Sequence, residues 1–314
     1  MRFRPSVPGA LAAAAGAPPA ATLLPSQVPH SIHAQLLVIG PVVEPAGTAV
    51  LYGSLQQREP YAGVKVTRDQ SYGPDARHLL DVFSPEAASG ARPVLVFLHG
   101  GAFTGGERRR GGGPFYDNVM LWAVNNGMVG VNMTYRLAPQ NQWPAAQHDL
   151  RAAVAWLRQN IAAHGGDPAR LVLVGHSAGA AHVTQYLGHS QFHAVPGGGV
   201  AGAVTLSGLA DPTIAKHNLP LQAYFGSDNS LYPQRSALPG LIACKVPMLI
   251  ACAELDPPEF HAQSEHIHAA LSAAGRQVAL LKLLGHSHMS EVYSINTADR
   301  ALSDALAAFV RSLP

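Results

Sequence analysis

The sequence predicts an α/β fold: a mostly parallel, doubly wound sheet of eight strands, with helices on both faces and a small cap. Three observations lead to this prediction. Short runs of β-branched and aliphatic residues alternate with longer helical patterns from residue 64 onward. These runs are apolar on both sides, as buried parallel strands are. The segments between them repeat their apolar residues with the period of an α-helix.

Each element follows from its own pattern. Leu150, Val154, Leu157 and Ile161 fall on one face of a helix, and the same spacing recurs in 260–271 and 302–310. The first two strand-forming runs alternate more than the others, which favours an antiparallel hairpin at the edge of the sheet. The strand-forming runs are 64–67, 79–83, 94–98, 128–133, 171–174, 203–206, 248–252 and 278–284.

Three segments depart from this alternation. Residues 1–33 are rich in Ala and Pro, which predicts a flexible arm or a poor signal peptide ahead of a single domain over 34–314. Residues 36–61 predict a short helical segment over one end of the core. Residues 211–243 are rich in Pro, Gly, Ser and Asn, and they predict either a small lid or pocket wall, or an ordinary surface loop.

Composition limits the classes of function. Of the 314 residues 13% are charged, and the formal net charge is +2, so we expect no nucleic-acid partner. No apolar run of the sequence is long enough to span a bilayer. Cys244 and Cys252 make no disulfide framework, although a single bridge between them stays open. We expect a cytoplasmic location, with the periplasm or secretion as the alternative if the arm is a signal peptide.

The strongest chemical signal is the pentapeptide GHSAG at 175–179, which has the form G-x-S-x-G. It follows a strand-forming run and precedes a helical pattern, so Ser177 is expected on a strand-to-helix turn. Such a turn leaves no space for side chains beside the serine, and it places the hydroxyl at a helix N-terminus, where negative charge is favoured. Ser177 is therefore the predicted nucleophile, and a chance pentapeptide on a turn is the alternative.

A second signal is the stretch HGGAF at 99–103, directly after a strand-forming run. Attack by a serine creates a tetrahedral oxyanion, which needs fixed N–H donors worth about 3–4 kcal/mol each. A glycine-rich loop can turn its main-chain amides toward one point, and His99 is expected to orient this loop rather than to transfer protons. The predicted oxyanion hole comprises the amides of Gly101, Ala102 and Ala178, with Gly100 in the same turn.

The nucleophile needs a base and an orienting carboxylate, which follow the serine in this chain order. Asp256, on a loop just before a helix, is the predicted acid, with Glu254 as the alternative and a helix N-cap as the other role for Asp256. His288, further into the loop after 278–284, is the predicted base, with His286 as the alternative. The two histidines also fit a metal-binding H-x-H pair, but no third ligand has a supporting spacing, so no metal is expected.

Several stretches together carry a family resemblance: HGG at 99–101, YRLAP at 135–139, GGDPAR at 165–170, GHSAG at 175–179, DP at 256–257 and His288. They resemble the α/β-hydrolase superfamily and, within it, the hormone-sensitive-lipase-like and bacterial carboxylesterase branch. The resemblance covers residues 60–314 and implies a Ser-Asp-His ester hydrolase without a cofactor. Ala102 stands where the branch usually has a third glycine, which narrows the pocket but keeps the N–H donor. The chain also resembles feruloyl-esterase-like and arylformamidase-like members.

The expected reaction is two-step acyl transfer on a small-molecule carboxylic ester with small to medium acyl or alcohol groups. An amidase, arylformamidase or peptidase using the same triad is the first alternative, because these reactions share the acyl-enzyme. A hydrolase-fold binding protein without catalysis is the second. Acyl preference and oligomeric state do not follow from the sequence. The candidate pocket residues are Phe103, Tyr116, Trp143 and Tyr224.

Overall fold

The structure, a computed structural model, describes residues 19–87, 90–109 and 113–314. The strands are β1 (Thr22–Pro25), β2 (Val64–Ser71), β3 (Leu79–Pro85), β4 (Arg92–Leu98), β5 (Val129–Met133), β6 (Gly166–His176), β7 (Gly202–Leu206), β8 (Met248–Leu255) and β9 (Ala279–Ser287). The helices are α1 (His30–Ile39), α2 (Pro45–Gly53), α3 (Asp117–Asn125), α4 (Ala145–Asn160), α5 (Ala178–Gly188), α6 (Leu219–Phe225), α7 (Tyr232–Arg235), α8 (Leu238–Ala243), α9 (Pro258–Ala273), α10 (Ser290–Tyr293) and α11 (Ala301–Ser312).

These strands form one sheet in the order β1-β9-β8-β7-β6-β4-β5-β3-β2. Strand β3 runs antiparallel to β2 and β5, whereas the other neighbouring pairs are parallel. The predicted mostly parallel sheet, with an antiparallel hairpin at its edge, is therefore confirmed. Because β4 to β9 are parallel, their carboxyl ends meet at one edge, where an open sheet carries its ligand crevice.

One strand was not predicted, and the predicted count of eight is wrong by one. Strand β1 pairs in parallel with β9, with Thr22 opposite Leu281. The predicted arm over 1–33 is accordingly wrong for 22–33, because this stretch holds β1 and the start of α1. Four residues are too few to show a strand period, and only the unpaired edge of β9 gives them partners. Residues 1–18 of the predicted arm lie outside the described residues.

Alternate residues of each strand enter two separate cores, one on each face of the sheet. In β4, Leu95 and Phe97 pack with α3 and α11, whereas Val94, Val96 and Leu98 pack with α4 and α5. The helices bury the faces that the sequence predicts: Leu150, Val154 and Leu157 in α4, and Leu302, Leu306 and Val310 in α11. At about 25 cal/mol per Å² of apolar surface, these stripes supply much of the attraction between helices and sheet.

The segment 211–243 contains α6, α7 and α8 and packs over the carboxyl edge of the sheet. Its Leu221, Tyr224 and Phe225 share a small apolar cluster with Phe103 and Ala178. Both cysteines are free, so the structure gives no bridge between Cys244 and Cys252. Within the described part of the chain, no helix combines the length and apolarity needed to cross a membrane.

Candidate active site

Ser177 occupies the turn between β6 and α5, at the N-cap of the helix. Its φ of 56° lies in the left-handed region, which a non-glycine residue adopts only when its surroundings hold it there. A Cβ on Gly175 would lie 2.4 Å from the carbonyl oxygen of Gly179, and one on Gly179 would lie 2.1 Å from that of Leu98. The glycines are therefore required by space, and the turn presents the serine side chain at the end of the sheet.

The structure brings Asp256 and His288 into direct contact. His288 Nδ1 lies 2.7 Å from Asp256 Oδ1, and both side chains are completely buried. Asp256 Oδ2 accepts two further hydrogen bonds, from the Ser207 hydroxyl at 2.6 Å and from the Ala253 amide at 2.8 Å. The Asp256 carboxylate thus accepts three hydrogen bonds, one of them from the imidazole. It therefore fixes the proton of His288 on Nδ1 and leaves Nε2 as an acceptor.

His288 and Ser177 line the same cavity. His288 Nε2 is buried and forms no hydrogen bond with any described residue. The candidate base and the candidate nucleophile thus line one cavity, and the described residues show no hydrogen bond between their side chains. Hydrogen bonds between a nucleophile and its base commonly tighten only in the reactive complex.

The alternative acid and base have other partners. Glu254 Oε2 accepts a hydrogen bond of 2.7 Å from the Gly285 amide, so it ties the end of β8 to β9. His286 Nε2 lies 3.1 Å from Asp299 Oδ2, and its Nδ1 lies 3.1 Å from the Ser290 hydroxyl. The rings of His286 and His288 therefore serve different carboxylates and do not converge on one point as metal ligands would.

The loop after β4 faces Ser177. A Cβ on Gly100 would lie 2.9 Å from that of Ser177, so only glycine allows this approach. Gly101 and Ala102 have φ values of 140° and 51°, which turn the backbone sharply. The amides of Gly101, Ala102 and Ala178 donate no hydrogen bond to any described residue. They are consequently available to an oxyanion.

Two contacts hold this loop from behind. The Tyr135 hydroxyl donates to the carbonyl of His99 at 2.5 Å. His99 Nδ1 donates to the carbonyl of Gly100 at 2.7 Å, which agrees with the expectation that His99 orients the loop. The rings of His99 and Tyr135 also stack, with centroids 4.6 Å apart. Burial raises the pKa of Tyr135 well above its ordinary value, so its hydroxyl keeps its proton for this hydrogen bond.

The cavity at this site has a volume of about 440 Å³. Of the predicted pocket residues, Phe103 and Tyr116 line it. Trp143 and Tyr224 do not, and their assignment to the pocket is wrong. Tyr224 stacks behind Phe103, with ring centroids 4.9 Å apart, and Trp143 donates to Gln185. The apolar wall is completed by residues that the sequence did not indicate as pocket residues: Val43, Leu209, Leu221, Phe260 and Met289.

Two of these missed residues carry a sequence signal. Phe260 lies four positions after Asp256, in the first turn of α9, and its ring centroid is 4.4 Å from that of His288. Met289 directly follows His288. Neighbours of a predicted catalytic pair are placed near the site by the same loops, so their position along the chain is informative. Val43 carries no such signal, because its place at the cavity depends on how α1 and α2 pack.

His176, Glu291 and His288 also lie close together, with one candidate ligand atom from each within 4.8 Å of the others. His176 Nε2 donates to the His288 carbonyl, and His288 Nδ1 donates to Asp256. His176 Nε2 and His288 Nδ1 therefore carry protons that these hydrogen bonds use, so these two nitrogens have no lone pair for a metal ion.

Comparisons with known proteins agree on the relatives of this chain. Residues 80–198 match the family described as BD-FAE. Esterase LipQ of Mycobacterium tuberculosis is 28% identical over 264 residues, which cover 78% of this chain and 62% of that protein. The probable carboxylic ester hydrolase LipM of the same organism is 35% identical over 136 residues, which cover 42% of this chain and 31% of that protein. The chain thus spans less than two thirds of the length of these relatives.

Solved structures resemble this one over most of its length. A bacterial heroin esterase has a TM-score of 0.69 and 24% identity, covering 90% of this chain and 98% of its own. Esterase B from Lactobacillus rhamnosis has a TM-score of 0.69 and 16% identity, covering 90% of this chain and 94% of its own. At these identities the likeness concerns the fold.

Proposed function

We propose that this chain, whose residues 80–198 match the BD-FAE family and whose fold resembles that of solved esterases, is a serine hydrolase that cleaves carboxylic esters. One observation carries this proposal. His288, paired with the buried Asp256 and with no hydrogen bond on Nε2, lines the same cavity as Ser177. A nucleophile, a base and an orienting carboxylate at one cavity are what acyl transfer requires.

In the proposed reaction, His288 Nε2 takes the proton of Ser177 as the serine oxygen attacks the ester carbonyl. The resulting oxyanion accepts hydrogen bonds from the amides of Gly101, Ala102 and Ala178. The C–O bond to the alcohol then breaks, and the alcohol leaves with the proton from His288. A water molecule next gives a proton to His288 and attacks the acyl-enzyme. The bond between the Ser177 oxygen and the acyl carbon then breaks, His288 returns the proton to the serine oxygen, and the carboxylic acid is released. Asp256 stabilises the imidazolium in both steps.

The cavity supports substrates of small to medium size. Its volume of about 440 Å³ lies near the lower end of the range of about 300–1,000 Å³ for drug-sized ligands. Its apolar walls include Phe103, Tyr116 and Phe260 and suit an apolar acyl or alcohol group. Residues of 211–243, among them Ala215, Pro220 and Leu221, line one side, so we propose that this segment is a wall of the substrate site.

The test is ester turnover with a matched serine control. Ser177→Ala should lower kcat for p-nitrophenyl acetate and butyrate by about 10⁴-fold or more. It should also lose the mass increase that a fluorophosphonate probe gives the unmodified protein. Ser190→Ala, at an exposed serine, should keep both properties. Unchanged turnover or labelling in Ser177→Ala would overturn the assignment. Faster turnover of matched anilides than of esters would replace the ester hydrolase by an amidase.

We also propose that the substrate is a small molecule, that nucleic acid is no partner, and that the protein acts in the cytoplasm. The low charge content supports the point about nucleic acid. Cell fractionation followed by N-terminal sequencing of the recovered protein tests the location. Recovery from the periplasm or medium with part of residues 1–33 removed would favour the signal-peptide alternative.

A further inference from the structure

Glu291 lies behind the Asp256–His288 pair, and no step of the proposed reaction uses it. It belongs to α10, three residues after His288, and is 0% exposed. Neither carboxyl oxygen forms a hydrogen bond with any described residue. A buried carboxyl group without bonding partners is costly, so its presence beside the pair calls for a physical account.

His176 connects Glu291 to the base. Its Nε2 donates a hydrogen bond of 2.8 Å to the carbonyl of His288 and lies 3.5 Å from Glu291 Oε1. The proton of His176 is therefore on Nε2. Burial, and next the neighbouring His288, lower the pKa of His176 well below its ordinary value, so the ring is neutral. His176, which directly precedes Ser177, thus holds the main-chain carbonyl of His288 in place.

The surroundings of Glu291 suit an un-ionised acid better than a carboxylate. A protonated carboxyl group offers one donor and one acceptor. The proton on His176 Nε2, which lies 3.5 Å from Oε1, is already donated to the His288 carbonyl, and the Ser207 proton is already donated to Asp256. Neither group is therefore free to donate to an ionised Glu291. An ionised Glu291 would instead place a second buried negative charge beside Asp256. Burial, and next the Asp256 charge, raise the pKa of Glu291 well above its ordinary value.

We propose that Glu291 is held as a neutral carboxylic acid and that, with His176, it positions the His288 base while Asp256 remains the one negative charge behind the imidazole. Both are positioning residues, because neither touches the reacting atoms. The inference deepens the proposed function and rests on it for the role in turnover. The charge state of Glu291 does not depend on that function.

Other titratable groups face this region from each element packed against α10. Burial raises the pKa of Cys252 in β8 to about 12, and burial also raises the pKa of Tyr52 in α2 well above its ordinary value. Both groups stay neutral at mildly acidic and neutral pH. The remaining ones are His176 at the end of β6, Asp256 after β8, and His286, His288 and Asp299 in the segments that flank α10.

The first experiment measures the charge of Glu291 through stability. Unfolding by urea is followed from pH 5.5 to 7.5 for the unmodified protein and for Glu291→Gln, a neutral copy of the acid. In the unfolded chain Glu291 ionises above about pH 4.3, so folding binds a proton at this site. The unfolding constant of the unmodified protein, divided by that of Glu291→Gln, should therefore increase as the pH rises. The expected increase is about tenfold per pH unit while Glu291 stays neutral in the folded protein, and at least about tenfold between pH 5.5 and 7.5.

The matched control is Glu265→Gln, at an exposed glutamate of α9. Its ratio should stay within about twofold over the same range, because this side chain is exposed to water in the folded and the unfolded chain alike. A ratio for Glu291→Gln that is constant, or that falls with pH, would show that Glu291 is ionised in the folded protein and would overturn the proposal. This experiment needs no activity, so it remains readable if the esterase assignment fails.

The second experiment tests positioning through turnover. His176→Met removes the N–H that holds the His288 carbonyl, whereas His176→Gln keeps an N–H at a similar reach. We expect kcat to fall by at least about tenfold in His176→Met with KM within about threefold, and kcat to be restored to within about threefold in His176→Gln. Equal kcat in the unmodified protein and His176→Met would overturn the positioning role, as would equal losses in both variants.

The acid limb of the pH profile gives an independent reading. Because Glu291→Gln removes no charge if the acid is neutral, the acid-limb pKa of kcat/KM should move by less than about 0.3 unit. A downward shift of about one unit or more would mean that a negative charge near the imidazole had been removed, and it would overturn the proposal. A merely structural role for Glu291 would not produce such a shift.

Discussion

Replacing Asp256 by Asn tests the central pair of the candidate site. The change keeps the size of the side chain and its contact with Ser207, but it removes the charge next to His288 Nδ1. It also places an amide that can donate where the imidazole needs an acceptor. The Asn side chain therefore favours the tautomer in which Nε2 carries the proton and cannot serve as a base.

The magnitude follows from the contact distance. With Nδ1 and Oδ1 2.7 Å apart, the charge centres of an imidazolium and a carboxylate are about 4 Å apart and attract by about 4 kcal/mol at an effective dielectric constant of 20. Losing that attraction in the transition state lowers kcat by about 10³-fold. The unfavourable tautomer adds to this loss, so we expect kcat for p-nitrophenyl butyrate to fall by about 10³- to 10⁴-fold.

Glu254→Gln is the matched control, because Glu254 was the alternative acid. Its carboxylate accepts from the Gly285 amide at 2.7 Å, and the carbonyl of a glutamine can accept the same hydrogen bond. We expect kcat to fall by less than about tenfold. Steady-state kinetics at saturating ester, with far-UV circular dichroism as the check on folding, separates the two. A loss under about tenfold in Asp256→Asn, or a larger loss in Glu254→Gln, would refute the reasoning.

Three further outcomes are expected. Gly179→Ala should cost more than about 4 kcal/mol or prevent folding, because its Cβ would lie 2.1 Å from the Leu98 carbonyl oxygen; urea unfolding measures this. Burial alone would raise the pKa of Asp299, but the hydrogen bond and the charge of His286 lower this pKa below its ordinary value. The stability that Asp299 adds to the fold should therefore be lost only as the pH falls below about 4. Asp299→Asn should then be less stable than the unmodified protein at pH 6, with a gap that closes in acid. Tyr135→Phe should cost about 1 kcal/mol or more, and a smaller loss in thermal unfolding would contradict the buried hydrogen bond.

Most of the fold could be predicted because its signals are local. The eight predicted strand-forming runs correspond to β2 to β9, since buried parallel strands show themselves as short apolar runs. The turn at Ser177 also has a local signal, because the pentapeptide with its two glycines directly follows a strand-forming run. Strand β1 has no such signal, as its four residues pair only once β9 offers an edge.

The sequence by itself reduced the candidates for the acid to Asp256 and Glu254 and those for the base to His288 and His286. It also indicated the loop that faces Ser177. Tertiary structure decided which members meet: Asp256 with His288, and His286 with Asp299. It also removed Trp143 and Tyr224 from the cavity wall and placed Glu291 and His176 behind the base. The physical reason is that a side chain's direction just past a strand depends on the path of the loop. That path is fixed by contacts with distant segments, which no window of sequence contains.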